Sequence, residues 1–509
     1  MFFVTNTSMG FLYGFYHISI LWQLISFISW RIISRRHLHP LAHYPGPFFW
    51  TISRIPYATA YVRGHLHIRI QGLHDQYGDV VRVAPDELSY RNGQAWKDIH
   101  GHSRNFSKDM RFYHASKKKA PSVVVAPDDI HSRQKKAILR AFSEPALRSH
   151  EQILRPFVEI LVQRLQNLGE RKSDSFVDMT EWYNHVMFDF MSFELFGESL
   201  GCLESATNHP WVNMLFGSIK AWAVLSQGAY FPAFSWITYV AAILFYGDIL
   251  RHRNKKFASV SSKLSEKKES ESSQPTFSSY IRADKDPKST LSAEEALSNH
   301  SFMMMAGSET TATLLSGCTF FILRSPRVYQ KLSQEIRNSF SSPSEISFSS
   351  LADLAYLRAV LQETLRMYPP LPLGMPRVVP SGGSTVSGNF VPEKTSVAIA
   401  SWVTYRSSSN FQEAQSFLPE RWLGDSIGSH DISDAMQAFS IGPRACPGKR
   451  LAFAEASLIL ALMIWNFDLE LSAECSNWID QRAYIIWDKG PLWVKLTPSA
   501  SEKLVSPSV

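Results

Sequence analysis

The segment Phe439–Gly448 (FSIGPRACPG) constrains this chain more than any other part of its sequence. It places Cys446 between glycines and close to Arg444, just ahead of an apolar run that predicts a helix. We expect the free N–H groups at the start of that helix to lower the pKa of the thiol and keep it ionised. Gly442 and Gly448 allow tight bends and the close approach of a flat ligand, and Arg444 offers paired donors to a carboxylate.

Two other interpretations of this segment compete with a ligand site. A lone cysteine is usually a small core residue. Gly448-Lys449 suggests a phosphate loop, but five residues rather than four separate Gly442 from Gly448, and Arg450 stands where Ser or Thr is required. The phosphate loop is therefore excluded. A thiolate, a flat ligand and a carboxylate partner together describe a haem iron held by cysteine.

The positions Phe439, Gly442, Arg444, Cys446 and Gly448 match a haem-thiolate signature, and in this the chain resembles the cytochrome P-450 monooxygenases. The resemblance implies a mainly α fold with a minor β-sheet, preceded here by a single N-terminal transmembrane helix. It also implies a haem b with its iron on the sulfur. Because the chain has no G-x-G-x-x-G fingerprint, NADPH should donate electrons indirectly, through a separate flavoprotein reductase or cytochrome b5.

Local patterns predict several elements of the fold. Ser292 and Glu295 form a capping box that opens a helix running to about Arg324. The β-branched runs of Tyr77–Tyr90 predict a pair of strands. The segment Ser261–Lys288 is rich in Ser, Lys and Glu, which predicts a solvated loop.

An acid–alcohol pair, Glu309-Thr310, follows two small residues in the middle of the long predicted helix. By resemblance, Ala306 and Gly307 leave room for dioxygen, Thr310 holds the hydrogen-bond network of the bound oxygen, and Glu309 relays protons. Cleavage of an O–O bond needs protons delivered into a largely dry pocket, so this pair makes chemical sense. A kinked helix with solvent-facing polar residues is the structural alternative.

Glu363 and Arg366 lie three residues apart on one predicted helical face. By resemblance they form a buried ion-pair triad with Arg421 behind the haem. Such a cluster is costly to bury, and we interpret it as a specificity lock on the fold rather than as catalytic machinery.

Further cations resemble family positions that bind the haem propionates. Arg377 and Arg444 are two of them. His131 and Lys135 stand where the family has a Trp/His-x-x-x-Arg motif, but Lys135 is a point charge rather than a fork of donors. A basic surface helix is the alternative for His131 and Lys135.

The substrate pocket is predicted from family topology alone, and each of its apolar residues could equally be core. The predicted pocket residues are Phe112, Val124, Met303, Met305, Leu373, Met375 and Ile485. The very apolar stretch Trp211–Tyr246 either dips into a bilayer and admits lipophilic substrates or forms a buried helix pair.

The N-terminal region predicts a membrane anchor. Residues 10–30 contain no Asp, Glu, Lys or Arg, and a helix of that length spans a hydrocarbon core of ~30 Å. Arg31 and the basic residues after it predict an endoplasmic reticulum protein whose catalytic domain faces the cytosol. A cleaved signal peptide is the alternative. The predicted divisions are a lumenal end (1–9, with the Asn6 sequon), the anchor (10–30), a basic, proline-rich hinge (31–47), the monooxygenase domain (48–500) and a polar tail (501–509).

The net charge and the cysteine content limit the classes of partner and site that we expect. The net charge of +7 suits an anionic membrane face and an acidic protein partner, and no cluster of Lys and Arg interleaved with aromatic residues supports nucleic acid. Four scattered cysteines predict neither a disulfide framework nor a zinc site.

The blocks HPLAHYPGP, YGDVVRVAPDELSY and WDKGPLWVKLTP resemble filamentous-fungal enzymes of terpenoid and polyketide pathways. A haem-thiolate isomerase or peroxygenase, and a non-enzymatic membrane-bound haem protein, are the competing functions.

Overall fold

The computed structural model describes residues 5–102, 105–113, 120–171, 176–245, 247, 275–282, 290–424 and 428–499. These residues are mainly helical with small sheets, as predicted. The helices are α1 (Thr5–Ile33), α2 (Phe48–Ile52), α3 (Ile55–Val62), α4 (Leu66–Tyr77), α5 (Gln94–His100), α6 (Met110–Tyr113), α7 (Asp128–Ile138), α8 (Glu144–Arg171), α9 (Met179–Phe196), α10 (Cys202–Ser205), α11 (Pro210–Gly228), α12 (235–245), α13 (Phe277–Arg282), α14 (Ala293–Arg324), α15 (Pro326–Ser339), α16 (Phe348–Leu351), α17 (Ala355–Met367), α18 (Ser401–Tyr405) and α19 (Lys449–Asn466). The strands are β1 (Val80–Ala84), β2 (Glu87–Tyr90), β3 (Ser107–Lys108), β4 (Phe176–Asp178), β5 (Arg377–Val378), β6 (Ser384–Val386), β7 (Asn389–Val391), β8 (Ser396–Ile399), β9 (Phe467–Leu471), β10 (Arg482–Ala483), β11 (Trp487–Asp488) and β12 (Trp493–Pro498).

Helix α14 runs through the middle of the helical body. The predicted capping box is confirmed, because the Glu295 N–H donates to Ser292 Oγ at 3.2 Å and the Ser292 N–H donates to the Glu295 carboxylate at 3.0 Å. Helix α14 packs along α9 and also against α17 and α19. Its second half is almost wholly buried. A polar residue in that half therefore either has a buried partner or faces the site.

The largest sheet has the strand order β1-β2-β8-β5-β3. Strands β1 and β2 are antiparallel, which confirms the predicted strand pair. Strand β2 runs parallel to β8, and β5 is antiparallel to both β8 and β3. In the β3–β5 pair Lys108 is the partner of Arg377. The sheet thus brings two cations together from distant parts of the chain.

The C-terminal hairpin β10–β11 packs into the helical body through Trp487. Its ring stacks on Tyr368 with 4.7 Å between centroids, and it meets Trp402 edge-on at 5.2 Å. The Trp487 Nε1–H also donates to the carbonyl oxygen of Pro369 at 2.8 Å. These contacts fix the residues that follow, including Lys489, against the interior. The remaining small sheets have the orders β4-β12-β9 and β6-β7.

The predicted hinge at residues 31–47 lies against strand β1, which contains Arg82. Leu41 and Tyr44 are buried, and the Arg82 guanidinium donates to the carbonyl oxygens of Arg35 and Pro85. None of the helices formed by the described residues is both long and apolar enough to cross a membrane. The transmembrane anchor at residues 10–30 is therefore not confirmed.

The apolar stretch Trp211–Tyr246 was predicted either to dip into a bilayer or to form a buried helix pair. It contains one buried and one exposed helix. Helix α11 packs inward, with Met214 and Ile219 buried. Helix α12 instead exposes large apolar side chains, and Leu244 and Phe245 are 75% and 78% exposed. The second part is thus a surface apolar helix rather than one member of a buried pair.

The predicted loop Ser261–Lys288 lies mostly outside the described residues, but its described part corrects the prediction. Residues Phe277–Arg282 form α13, with Phe277 and Ile281 buried. The Phe277 N–H donates to the buried Glu194 carboxylate at 2.6 Å. A buried partner from another helix therefore orders a segment whose composition predicted a solvated loop.

Candidate active site around Cys446

Cys446 lies in a tight loop held by backbone hydrogen bonds. Its N–H donates to the carbonyl oxygen of Phe439 at 2.8 Å, and the Ala445 N–H donates to Gly442 O at 3.0 Å. Gly442 has a φ of +76°, and a Cβ there would lie 1.9 Å from the carbonyl oxygen of His100. Only glycine fits at this position. The loop is thereby fixed both to itself and to the end of α5.

The Cys446 thiol is accessible and faces the start of α19. The prediction of a lowered pKa was wrong for the protein alone. Crowding by protein atoms desolvates the thiolate and raises the pKa of Cys446, and this outweighs the opposing effects of the Gly448 N–H and Lys135. A Cβ on Gly448 would lie 3.8 Å from Sγ, so the glycine leaves space beside the sulfur.

Buried cations surround this loop. Arg377 is buried, and its Nε has no hydrogen-bond partner among the described residues. Lys108 donates to the carbonyl oxygen of Val124. Burial, reinforced by the positive charges of Arg444 and Arg377, lowers the pKa of Lys108 to about 6. Burial likewise lowers the pKa of Arg377.

Arg444 and Lys135 bind protein groups around the loop. The Arg444 guanidinium donates to Ala126 O at 3.0 Å and to the Asp128 carboxylate, while its NH1 has no partner within the described part of the chain. Lys135 Nζ donates to Pro443 O at 2.7 Å and Ala445 O at 3.0 Å. Lys135 thus ties α7 to the cysteine loop through carbonyl oxygens, whereas the sequence predicted a propionate contact.

Two buried histidines lie among these cations and carry no charge. His131 is buried, and desolvation together with Arg444 and Lys108 lowers its pKa to about 3. Burial and the charge of Arg377 lower the pKa of His100 to about 3 as well. Both imidazoles are therefore neutral at physiological pH.

The residues present fit a haem. Arg377 and Arg444 each keep a buried nitrogen unpartnered within the described chain, and Asp128 is the carboxylate that pairs with this cluster. Buried cations with too few anions favour an anionic ligand, and haem carries two propionates. Cys446 Sγ would supply the soft sulfur ligand that haem iron accepts. Arg377, Arg444 and Lys108 would then hold the propionates.

The acid–alcohol pair of α14 separates in the structure. Thr310 Oγ1 donates to Ala306 O at 2.5 Å. Glu309 is 1% exposed, and its Oε1 accepts hydrogen bonds from Lys489 Nζ at 2.6 Å and Thr313 Oγ1 at 3.2 Å. The Glu309 carboxylate thus contacts Lys489 and Thr313 rather than Thr310, because successive residues of a helix point about 100° apart.

Gly307 has a packing role in addition to the predicted one. A Cβ there would lie 2.8 Å from both Sδ and Cε of Met191. The missing side chain therefore lets α9 and α14 approach closely. The space for dioxygen beside Ala306 and Gly307 stays a prediction.

The structure brings Glu363, Arg366 and Arg421 together in a buried cluster. Arg366 makes two hydrogen bonds to the Glu363 carboxylate, at 3.0 and 2.7 Å, and Arg421 Nε donates to it at 3.2 Å. The Trp422 Nε1–H and the Leu418 N–H complete the shell, each at 2.9 Å. The cluster joins α17 to the segment ahead of the cysteine loop, which agrees with a structural role.

The predicted pocket residues lie in the core around α14 and the hairpin. Phe112 is buried and meets Trp222 of α11 edge-on at 5.0 Å, so it lies beneath that helix. The buried members are Phe112, Met303 and Leu373, and the partly buried ones are Val124, Met305, Met375 and Ile485. Their burial is compatible with both a pocket lining and simple core packing.

Sequence reasoning missed Lys108 and Lys489. Neither belongs to a motif, and each acquires its partners through strands or loops that are distant in sequence. The only sequence signal for Lys489 was its place in the block WDKGPLWVKLTP. That block resembles fungal enzymes but does not indicate what the lysine contacts. Asp128, the partner of Arg444, was also missed.

The comparisons with known proteins agree on one family. The family model named Cytochrome P450 matches residues 40–495. The chain is 38% identical over 476 residues to cytochrome P450 monooxygenase astJ of Aspergillus oryzae, which covers 92% of this chain and 94% of that protein. It is 40% identical over 466 residues to monooxygenase astA of Talaromyces wortmannii, with 91% and 93% covered. It is 37% identical over 488 residues to averantin hydroxylase of Dothistroma septosporum, with 95% and 91% covered.

Proposed function

This chain belongs to the cytochrome P450 family and is a cytochrome P450 monooxygenase, and we propose that it inserts one oxygen atom from O2 into a lipophilic small molecule. The observation that carries the proposal is the accessible Cys446 thiol beside a cluster of buried cations short of anions. Bound haem supplies the redox chemistry, in which NADPH provides two electrons, one oxygen atom enters the substrate and the other becomes water.

The side chains have distinct parts in this proposal. Cys446 holds the iron, and Arg377 and Arg444 orient the ring through its carboxylates. Thr310 is half-buried on α14, and its hydroxyl would hold the proton that is delivered to the site. Glu309 moves protons toward that hydroxyl. The largely dry core excludes bulk water from the reacting atoms.

We propose that electrons arrive one at a time from NADPH through a separate flavoprotein reductase, with cytochrome b5 as a further donor. The chain lacks a dinucleotide fingerprint of its own, which supports an external supply. Lys449 and Arg450 are exposed next to the cysteine loop, where a basic surface favours an acidic partner.

The proposed substrate is a terpenoid or polyketide intermediate of fungal secondary metabolism, which the protein hydroxylates, epoxidises or oxidises in several steps. Support comes from relatives that are fungal proteins, one of which is named averantin hydroxylase. The apolar residues around α14 and Phe112 suit a lipophilic guest.

We also propose that the protein lies at the endoplasmic reticulum membrane with its catalytic domain facing the cytosol. The exposed apolar side chains of α12, among them Trp236, Leu244 and Phe245, suit contact with lipid. Fractionation with an alkaline carbonate wash tests this location. Recovery of the intact protein in the soluble fraction before any wash would contradict it.

Turnover tests the proposed reaction. The purified protein, a fungal reductase and NADPH are supplied with isotopically labelled O2 and an extract from a strain in which the gene is deleted. We expect one metabolite that accumulates in that strain to gain a labelled oxygen atom. Oxidation supported by peroxide but not by NADPH and reductase would instead favour a peroxygenase. An unaltered metabolite profile in a Thr310→Ala strain would favour a non-enzymatic haem protein.

A further inference from the structure

Lys489 makes the only charged contact of Glu309 within the described part of the chain. Its Nζ lies 2.6 Å from Glu309 Oε1 and 2.9 Å from Thr313 Oγ1. The side chains of Lys489 and Glu309 are 3% and 1% exposed. Asp178, at the start of α9, adds a second negative charge near the amine. A basic residue of the C-terminal hairpin region therefore holds the acid that precedes Thr310.

The contact between Lys489 and Glu309 uses only one of the two carboxylate oxygens of Glu309. Glu309 Oε2 is buried and has no hydrogen-bond partner among the described residues. A buried acceptor without a partner is costly, so the carboxyl group gains by turning when a donor becomes available. Burial raises the pKa of Glu309 and lowers that of Lys489. These shifts bring the charged and neutral forms of the pair closer in free energy, which eases transfer of a proton between them.

Lys489 also connects the interior with the surface. It lies between Asp488 and Gly490, which both line an open cavity of about 550 Å³. Glu474, Asp480 and Arg482 lie at the same cavity, so with Asp488 its carboxylates outnumber its cation. The main chain at Lys489 thus borders solvent while its amine reaches the buried carboxylate. Thr313, the other partner of Glu309, is fully buried and offers no such route.

We infer that Lys489 positions Glu309 and supplies it with protons from the surface cavity. The Lys489 ammonium gives one proton to the Glu309 carboxylate. Because that proton lies on Oε1, the carboxyl group rotates to bring Oε1 toward Thr310, delivers the proton there and returns Oε2 to Lys489. The neutral amine regains a proton from water at the cavity. No electrons move in these steps. The inference rests on the proposed function, since it concerns the proton supply of the same site.

Substrate-free turnover tests the inference. Haem-loaded wild type, Lys489→Met, Lys489→Arg and the control Lys394→Met are mixed with a fungal reductase and NADPH, and O2 consumption is followed in H2O and in D2O. We expect Lys489→Met to consume O2 about tenfold more slowly and with a larger solvent isotope effect, because its methionine carries no proton. Lys489→Arg keeps the positive charge but carries no proton that it can release, so it should be about as slow as Lys489→Met. Lys394→Met changes an exposed lysine outside this network and should resemble wild type. The haem-free proteins give a second readout, because infrared spectra of Lys489→Met should gain a protonated carboxyl band that disappears when Glu309→Gln is added. An unchanged rate and isotope effect in Lys489→Met, or a full rate in Lys489→Arg, would overturn the inference.

A double-variant comparison keeps the test decisive if Lys489→Met binds haem poorly. In Glu309→Gln the acid is already absent, so adding Lys489→Met should not slow turnover further if Lys489 acts through Glu309. A further loss of rate in the double variant, at equal haem content, would contradict the inference. Wild type that consumes no O2 with NADPH and reductase would instead refute the proposed function itself.

Discussion

Lys108 and Arg377 are directly opposite each other on the antiparallel strands β3 and β5. Each is at most 9% exposed. Burial, together with the nearby charges of Arg444 and Arg377, lowers the pKa of Lys108 to about 6, so its amine is largely neutral at pH 7 in the protein alone. An anion bound beside the two side chains would raise the pKa of Lys108 and favour its charged form.

Replacement of Lys108 by Met should weaken haem binding while stabilising the protein without haem. The methionine removes an amine whose charged form is disfavoured by burial, by Arg444 and by Arg377. We expect about a tenfold loss of haem affinity, or ~1.4 kcal/mol, with a higher unfolding midpoint for the apoprotein. Haem transfer to apomyoglobin and thermal unfolding measure the two effects. Lys108→Arg is the matched control, and unchanged haem affinity in Lys108→Met would exclude a propionate contact.

Removal of one charge from the buried triad should destabilise the fold. In Glu363→Gln the guanidinium groups of Arg366 and Arg421 lose their shared carboxylate in a fully buried site. We expect a loss of about 3–5 kcal/mol in the free energy of unfolding, measured by urea denaturation. Glu393→Gln removes the partner of the exposed Lys394 and serves as control, with no measurable change. Equal stability of the two variants would argue against a structural role for the triad.

The two glycines that flank Cys446 should respond differently to alanine. Gly442→Ala places a Cβ 1.9 Å from the His100 carbonyl oxygen at a φ of +76°, so the loop must move. Gly448→Ala has no contact below 3.4 Å but puts a methyl group 3.8 Å from Sγ. We expect Gly442→Ala to lose stability by about 3 kcal/mol or more. Gly448→Ala should stay folded and bind less haem. Full haem loading of a stable Gly442→Ala protein would contradict this account of the loop.

Glu455 should make stability fall as pH rises. It is buried, accepts a hydrogen bond from Thr311 at 3.1 Å, and lies near His150 and Glu194. Burial raises its pKa from 4.5 to about 8. Between those values the folded state binds a proton that the unfolded state has lost, so stability decreases with increasing pH. His150, whose pKa is also raised, contributes in the same direction.

The variant Glu455→Gln isolates this contribution. We expect the free energy of unfolding of wild type, relative to the variant, to fall by roughly 2 kcal/mol between pH 6 and pH 8. Denaturant titrations at the two pH values measure the difference. A parallel pH dependence in both proteins would mean that Glu455 is already ionised in the folded state.

Sequence patterns predicted the local features of the fold well, because those features depend on neighbouring residues. The capping box at Ser292 formed between residues three positions apart, and the strand pair around Pro85 closed through a short turn. The loop that contains Gly442 and Cys446 was also predictable, because its hydrogen bonds join residues that are close in sequence.

Features that depend on distant contacts could not be predicted. The Glu309 carboxylate turns to Lys489, 180 residues away, and no local pattern encodes that pair. The pKa of Cys446 rises because surrounding elements desolvate it, which the helix N-terminus alone did not reveal. The composition of residues 261–288 predicted a loop. Helix α13 forms there because the Phe277 N–H donates to the buried carboxylate of Glu194, which lies far away in sequence.

The central claim is that Cys446 holds a haem iron through its sulfur. The most direct measurement is the absorption spectrum of the reduced, carbon monoxide-bound protein before and after Cys446→Ser. We predict that wild type shows the long-wavelength band of a thiolate-bound haem and that Cys446→Ser, at similar haem content, loses it. Retention of the same band in Cys446→Ser would contradict the account.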